Sequence, residues 1–168
     1  MRKRNHVFVA ATAALAAATL LAAAPTQAAA PLKGRYLLKN VGSGLCLTSS
    51  GKGDPAITVK ACNDNNRQYQ VWGFSLGSVG EGTVRVVDQK HYRCLDTSGT
   101  RAFLRDCENN KASPSQSWET AVFGGVTTLQ TVAGRRPCLD VHSKTHAVQT
   151  TTCRNNDAAW MEWKLLKE

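Results

Sequence analysis

Three residue markers recur along the chain with a common spacing of about 46 residues. In each copy a cysteine followed by leucine comes first, a second cysteine follows, and a tryptophan comes ten or eleven residues later. The three sets are Cys46, Cys62 and Trp72; Cys94, Cys107 and Trp118; and Cys138, Cys153 and Trp163. Successive first cysteines are 48 and 44 residues apart, and successive tryptophans are 46 and 45 apart. Self-similarity at a fixed period indicates a fold built from three equivalent units.

The segments inside each copy predict β-strands. Short apolar runs rich in β-branched residues, such as TVRVVD and VTTLQTV, are separated by Gly, Asn, Asp and Ser. This pattern indicates strands of about four to six residues joined by turns, and no window shows a helical period. The last segment, DAAWMEWKLLKE, is interpreted as a turn and a closing strand, because its second tryptophan occupies the repeat position. The sequence therefore predicts an all-β fold.

One repeat is too small to bury its own apolar face, so the three repeats are expected to share a core. The repetition predicts one disulfide in each repeat: Cys46–Cys62, Cys94–Cys107 and Cys138–Cys153. Each bridge would close a loop of roughly 15 residues, worth about 3 kcal/mol in the chain-entropy model. We expect Trp72, Trp118 and Trp163 at equivalent core positions. Gln70 and Gln116, two residues before the first two tryptophans, are interpreted as structural amides that hydrogen-bond otherwise unpaired backbone.

The first 28 residues have the organisation of a secretory signal peptide. Basic residues follow the first methionine, an Ala/Leu/Val-rich stretch covers about residues 7 to 24, and Thr26-Gln27-Ala28 fits cleavage after Ala28. The apolar run is short and dominated by alanine, which argues against a membrane span. An even number of cysteines, all beyond this segment, fits an oxidising compartment. We therefore predict a secreted, extracellular protein in which residues 29–168 form one domain, with repeats at about 32–77, 78–124 and 125–168.

The formal net charge of the chain limits the classes of partner that are expected. The formal net charge of +9 becomes +6 after loss of the signal peptide, which contains three basic and no acidic residues. This moderately basic balance suits an acidic cell surface or polymer, and it is also common in secreted proteins that have no such partner. Because lysine and arginine are scattered along the chain, nucleic acid is not predicted as a partner.

No constellation in the sequence favours a metal site or catalysis. His142 and His146 are four residues apart, but they lie in a polar loop without a neighbouring glutamate, and no Cys-x-x-Cys pair is present. His91, Asp88 and a serine could meet as a triad only through the fold, and there is no Gly-x-Ser-x-Gly motif. No positioned pair of carboxylates for glycoside hydrolysis is identifiable. The chain is interpreted as a non-enzyme without a cofactor.

The combined motifs resemble a known family. Three repeats with Cys-Leu-Asp in two of them, a second cysteine, and Gln-x-Trp in the first two are similar to the ricin B-type lectin domain, the β-trefoil family of galactose- and xylan-binding modules. The resemblance covers about residues 32 to 167. It implies twelve strands, four per repeat, in a six-stranded barrel capped by three hairpins. It also implies up to three shallow sugar sites, one per repeat.

By this resemblance, a sugar site uses the Asp of Cys-Leu-Asp to accept hydrogen bonds from two sugar hydroxyls. A ring two residues before the second cysteine stacks on the sugar, a glutamine stands two residues earlier, and an asparagine precedes Gln-x-Trp. The first repeat lacks the Asp, the ring and the Asn, since it has Thr48, Lys60 and Tyr69 instead. We therefore interpret this repeat as structural.

The other two repeats keep part of the pattern. The second repeat has Asp96, with Arg105 at the ring position, Phe103 at the glutamine position and Ser115 at the asparagine position. The third repeat has the following residues at or near the site positions: Asp140, Gln149, Thr151 in place of the ring, Trp160 in place of the asparagine, Met161 in place of the Gln of Gln-x-Trp, and His142 and His146 in the loop. The third repeat is the best candidate site, with Trp160 or a histidine ring as a displaced stacking group.

Two functions stay open at this point. One is a secreted lectin-like module that binds galactose- or xylose-type polysaccharide or glycan weakly, mainly through the third repeat. The other is a trefoil that has lost sugar binding and docks a protein, as a protease inhibitor or a toxin or adhesin subunit. In the second case Asp96 and Asp140 would only cap the turns that follow them.

Overall fold

The computed structural model describes residues 32–50, 57–109, 111–154, 156 and 158–168. The predicted signal peptide, residues 1–28, lies outside these residues. In chain order the strands are β1 (Gly34–Asn40), β2 (Cys46–Ser49), β3 (Ile57–Lys60), β4 (Val71–Leu76), β5 (Thr83–Asp88), β6 (Arg93–Ser98), β7 (Arg101–Asp106), β8 (Trp118–Phe123), β9 (Val126–Thr131), β10 (Cys138–Val141), β11 (Val148–Thr151) and β12 (Glu162–Lys167). Four strands fall within each predicted repeat, and the all-β prediction is confirmed.

Six of these strands close into a barrel. β1 pairs with β4, β4 with β5, β5 with β8, β8 with β9, β9 with β12, and β12 returns to β1, all antiparallel. Closure removes the free sheet edges that would otherwise present unpaired backbone. Along β9 the buried residues Thr127, Leu129 and Thr131 alternate with half-buried ones, as expected for a strand with one face on the core.

The other six strands form three hairpins, β2–β3, β6–β7 and β10–β11. Each hairpin joins the barrel through one short pairing to the preceding strand. The hairpins also contact one another, with β3, β7 and β11 in mutual contact. This arrangement is the β-trefoil that the sequence predicted.

Short helical turns precede the last strand of each repeat. They are 3-10 helices at Asp64–Tyr69 and Pro114–Gln116 and one α-helical turn, α1, at Ala158–Met161. In the first, Asn63 Oδ1 accepts a hydrogen bond from the Asn66 amide and caps the helix. The predicted closing strand of the third repeat is therefore confirmed as β12, and the predicted turn before it is a single turn of helix.

The predicted disulfides are confirmed, one in each repeat. The residue two positions before the first cysteine has a left-handed backbone in every repeat, with φ of 69° at Gly44, 57° at Tyr92 and 55° at Arg136. Only glycine adopts this conformation without steric cost. Two repeats therefore accept local strain to keep a turn that the first repeat makes with glycine.

The three tryptophans form the centre of the shared core. Trp72, Trp118 and Trp163 are fully buried, each at or near the start of the fourth strand of its repeat. Each indole Nε1 donates to the carbonyl of the leucine after the first cysteine, at 2.9, 3.1 and 3.4 Å in the three repeats. One hydrogen bond per repeat thus ties the barrel to the hairpin that covers it.

Candidate functional site

Each repeat places a polar residue after Cys-Leu inside the first strand of its hairpin, and the repeats differ in what this residue contacts. In the first repeat the residue is Thr48, which is buried. Its hydroxyl donates to the Cys46 carbonyl and accepts from Gln70 Nε2 at 3.0 Å. Gln70 also donates to the Ala61 carbonyl. Thr48 is therefore part of an internal network and is not available to a ligand.

In the second repeat the residue is Asp96, and both of its carboxylate oxygens are used within the protein. Oδ1 accepts from the Thr97 amide at 2.6 Å, and Oδ2 accepts from Gln116 Nε2 at 3.0 Å. Arg105 Nε lies 3.6 Å from Oδ2, and its guanidinium covers the Phe103 ring at 5.2 Å. Asp96 is only 1% exposed. The predicted ligand residues Asp96 and Arg105 thus face each other, and this geometry does not favour them as a sugar site.

In the third repeat the buried Met161 stands where the other repeats have glutamine, so no amide reaches Asp140 from that side. Gln149 lies directly opposite Asp140 in the β10–β11 pair, and its Nε2 donates to Asp140 Oδ2 at 2.8 Å. Asp140 Oδ1 receives no hydrogen bond from the described residues, and it is not among the buried polar atoms left without a partner. Among the described residues this oxygen therefore has no donor, and Asp140 lines a cleft, although the residue as a whole is only 3% exposed.

A polar cleft of about 200 Å³ lies over this carboxylate. Its lining brings together four residues predicted from the sequence and three that were not: Asp140, Gln149, His142 and Trp160, with Val141, Ser143 and Arg154. A small number of placed polar groups beside an aromatic ring is the usual composition of a site that orients a small polar ligand.

The indole of Trp160 is held in place from two sides. The His146 ring stacks on it, with centroids 6.1 Å apart and planes inclined by 26°. Behind it lies Gly42 of the first repeat, where a Cβ atom would meet the Trp160 ring at 2.7 Å. The Gly42 amide also donates to the Ala159 carbonyl, and Asn40 Nδ2 donates to the Trp160 carbonyl. The first repeat therefore positions the aromatic wall of the third-repeat cleft.

His142 begins the turn of the β10–β11 hairpin. Its Nδ1 accepts from the amides of Lys144 and Thr145, at 3.3 Å each. This pattern assigns the proton of the neutral ring to Nε2, which makes the ring edge a hydrogen-bond donor. The His142 carbonyl accepts from the His146 amide, and the turn places His146 at a φ of 56°. The two histidines thus have separate tasks, one lining the cleft and one supporting Trp160.

Arg154 is the charged lining residue that sequence reasoning missed. It follows Cys153 directly and is exposed. The corresponding residues of the other repeats are Asn63 and Glu108, so a basic residue after the second cysteine is specific to the third repeat. This difference between the repeats is visible in the sequence and could have pointed to Arg154.

A family model described as the ricin-type beta-trefoil lectin domain matches residues 34–163. The chain belongs to this lectin family. The resemblance seen in the sequence is therefore confirmed. No curated protein sequence shows significant similarity to this lectin domain.

Solved structures share the fold at low sequence identity. The designed three-fold symmetric protein ThreeFoil is 19% identical, with a TM-score of 0.64, over 80% of this chain and 99% of that one. SeviL bound to asialo-GM1 saccharide is 15% identical, with a TM-score of 0.62, over 81% and 98%. The exo-β-1,3-galactanase 1,3Gal43A from Clostridium thermocellum is 23% identical, with a TM-score of 0.64, over 83% of this chain but 31% of that one.

The lectin domain also has a larger groove, of about 490 Å³, between the second and third repeats. It shares no lining residue with the Asp140 cleft. Two of its hydroxyls, on Thr97 and Thr150, hydrogen-bond each other at 3.1 Å, and Thr150 also donates to the Gly99 carbonyl. Because these groups already have partners within the protein, the groove offers fewer free polar groups than its size suggests.

The triad residues considered from the sequence do meet, but not as a triad. Asp88 is buried and its Oδ1 accepts from the Ser49 hydroxyl at 2.9 Å, while its Oδ2 contacts His91 Nδ1 at 2.6 Å. A nucleophilic serine must bond to the histidine, whereas here the serine and the histidine both bind the carboxylate. The Asp88 carboxylate also accepts from the Lys90 and His91 amides and so caps the turn after β5.

Within the described ranges no group of three or more His, Cys, Asp or Glu side chains is placed to hold a metal ion. In the same part of the chain no helix has the length and apolar character needed to cross a membrane.

Proposed function

We propose that this lectin domain is a secreted carbohydrate-binding module that binds galactose- or xylose-type polysaccharide or glycan weakly, mainly through its third repeat. The observation that carries the proposal is the free oxygen of Asp140, which opens into a polar cleft beside an aromatic ring. The equivalent residues Thr48 and Asp96 have no such free acceptor.

Each of the cleft residues is proposed to make a different contribution to sugar binding. Asp140 accepts hydrogen bonds from sugar hydroxyls, and a charged acceptor makes such bonds shorter and stronger than a neutral one does. Gln149 holds the Asp140 side chain in one orientation, so little side-chain freedom is lost on binding. The part of the Trp160 ring that lines the cleft offers apolar surface to the C–H groups of the sugar, and His142 donates from Nε2.

The expected affinity is low. A shallow site with one charged acceptor should bind a monosaccharide at about millimolar Kd, or roughly −4 kcal/mol. Firm attachment would then require a polymer that offers many sugar units or several copies of the protein, because effective concentration raises the overall affinity without new contacts. SeviL, which has a similar fold, was solved with a bound saccharide, which supports the ligand class.

Affinity electrophoresis on galactan and xylan tests the proposal. Asp140→Asn should lose most retention, while its melting temperature stays within about 2 °C of the parent, since the asparagine oxygen can still accept the hydrogen bond from Gln149. Asp106→Asn is the matched control, because it removes a carboxylate with a side chain that is 97% exposed on the same domain. If Asp140→Asn lowers the melting temperature and leaves retention intact, Asp140 is only a turn cap and the proposal fails.

Secretion and the absence of catalysis belong to the same proposal. The signal-peptide pattern and three disulfides support export to an oxidising compartment. The Ser49–Asp88–His91 contacts do not have the connectivity of a nucleophilic site, which supports a binding role without a cofactor. N-terminal sequencing of the protein from culture medium should begin at Ala29.

Protein docking is the second candidate, and exposed apolar side chains favour it. Phe123 is 87% exposed at the β8–β9 turn, next to the half-exposed Val122, and Leu76 is 57% exposed at the end of β4. Such groups on a small domain can anchor a partner. A glycan array separates the two functions, because binding that free sugar competes away supports the lectin, whereas a blank array favours docking.

A further inference from the structure

Arg154 lines the same cleft as Asp140 and is exposed. No ion pair joins Arg154 to Asp140, so a ligand can contact both residues at once. We infer that the ligand is an acidic glycan, in which a hexuronic acid unit places its carboxylate on Arg154 and its hydroxyls on Asp140. This inference rests on the proposed function of the third repeat and names the ligand class.

The first argument is that Arg154 is free while other arginines are held by protein acceptors. Arg105 contacts Asp96, and Arg93 contacts Asp106. Arg136 pairs with Glu119, and Arg85 donates to Asn109 and to the Glu108 carbonyl. Among the contacts of the described residues, none gives Arg154 a hydrogen-bond or ion-pair partner. An unpaired guanidinium at the edge of a polar cleft is ready to bind an anion.

The second argument is the shape of the charged group. A guanidinium presents donors in a planar fork that matches the two oxygens of a carboxylate, so one arginine orients the anion as well as attracting it. A hexuronic acid differs from the neutral hexose only in carrying a carboxylate at C6. The hydroxyl contacts to Asp140 can therefore be the same in both sugars, and Arg154 adds a contact that only the acid makes.

The third argument concerns the charges around the cleft. Asp140 would repel an anion placed against it, but Gln149 occupies one of its oxygens, and the carboxylate of the ligand would lie at the Arg154 end. On the hairpin turn, Lys144 is exposed and His142 presents its Nε2–H. The +6 charge of residues 29–168 also favours approach of an acidic polymer over a distance.

Two pairs of polysaccharides test the inference, because within each pair the acidic polymer presents a free carboxylate that the neutral one lacks: polygalacturonate with its methyl ester, and glucuronoxylan with xylan. Retention of the secreted protein should be about tenfold stronger on the acidic member, as expected for one added charge-assisted contact. Arg154→Gln should remove this difference, so that the variant is retained equally on the acidic and the neutral member of each pair. Arg154→Lys should keep part of it, since the charge remains without the fork.

Arg135→Gln is the matched control, because Arg135 is exposed, lines the other groove and contributes the same net charge. It should leave the preference for acidic polymers intact. If Arg135→Gln and Arg154→Gln weaken retention on the acidic polymer equally, the preference comes from net charge and the inference is wrong. Equal retention of the parent protein on both members of each pair also overturns it, while the proposed function stands.

Two further results of the same retention experiment would contradict the inference in different ways. If a sulfated galactan binds as strongly as polygalacturonate and both depend on Arg154, the site recognises anions in general and the carboxylate assignment is wrong. If the parent protein binds neither neutral nor acidic polymers, the proposed function and this inference fail together.

Discussion

The second and third repeats share the motif Cys-Leu-Asp but use its carboxylate in different ways. Asp96 accepts from Gln116 and from a backbone amide and lies beside Arg105, so it is enclosed. Asp140 accepts from Gln149 alone among the residues that the structure describes, and it lines a cleft. Part of the difference follows from one position, where the second repeat has Gln116 and the third has Met161. A family motif therefore does not by itself define a site, because a neighbour distant in sequence determines whether its charge is free.

Both repeats have one disulfide and one fully buried tryptophan near the carboxylate. The largest expected effects test whether the two tryptophans contribute equally to stability. Trp118→Ala and Trp163→Ala should each lower the free energy of unfolding by about 3–5 kcal/mol, as truncation of a fully buried aromatic residue does. Chemical denaturation measures the loss. Phe123→Ala is the control, since Phe123 is exposed and its removal should cost little. If one substitution lowers the free energy of unfolding much less than the other, the two tryptophan positions are not equivalent.

The next prediction compares how much substitution of each aspartate lowers the free energy of unfolding. Asp96→Asn should lower the free energy of unfolding by about 1–3 kcal/mol, because Gln116, the Thr97 amide and Arg105 lose a charged buried partner. Asp140→Asn should cost less, about 0.5 kcal/mol, because the asparagine oxygen can still accept the one hydrogen bond from Gln149. Equal losses in denaturant titrations would mean that Asp140 is as enclosed as Asp96, contrary to the comparison.

Met161→Gln should make the third repeat resemble the second. The new amide would lie where Gln116 reaches Asp96, and a hydrogen bond to Asp140 would compete with ligand hydroxyls at about 1 kcal/mol, or roughly fivefold in retention. Met161→Leu keeps the site apolar at similar volume and should leave retention unchanged. Unchanged retention in Met161→Gln would remove this position as the cause of the difference between the repeats.

The smallest expected effect concerns the aromatic wall. His146→Asn removes the ring that stacks on Trp160, while asparagine still tolerates the left-handed backbone at this position. Such ring pairs contribute about 0.5–1.5 kcal/mol, and only part of that should appear as weaker retention. We expect a decrease of about two- to threefold in affinity electrophoresis and no change in melting temperature. A full loss of retention would instead assign the ligand contact to His146.

Much of the fold could be predicted, and part of the site could not. The period of the cysteines and tryptophans predicted three equivalent repeats and their disulfides, and short β-branched runs between turn residues predicted the strands. The resemblance to the ricin B-type lectin domain implied the trefoil. The candidate residues Asp140, Gln149, His142 and Trp160, which all belong to the third repeat, line one cleft in the structure, and their role in binding stays a prediction. Asp96 was included with them because it has the same motif, and Arg154 was missed because it has no counterpart in the family pattern.

The repeated sequence by itself determined the strands, turns and disulfides of this protein. These features depend on residues that are close together in the chain. The tertiary structure decided which carboxylate is free. Gln116 stands 20 residues from the Asp96 it encloses, and the ring of Trp160 packs on Gly42 from the first repeat. Whether a buried charge is paired depends on which side chains the fold brings within hydrogen-bond distance, and this proximity is set only when the barrel closes and the first repeat meets the third.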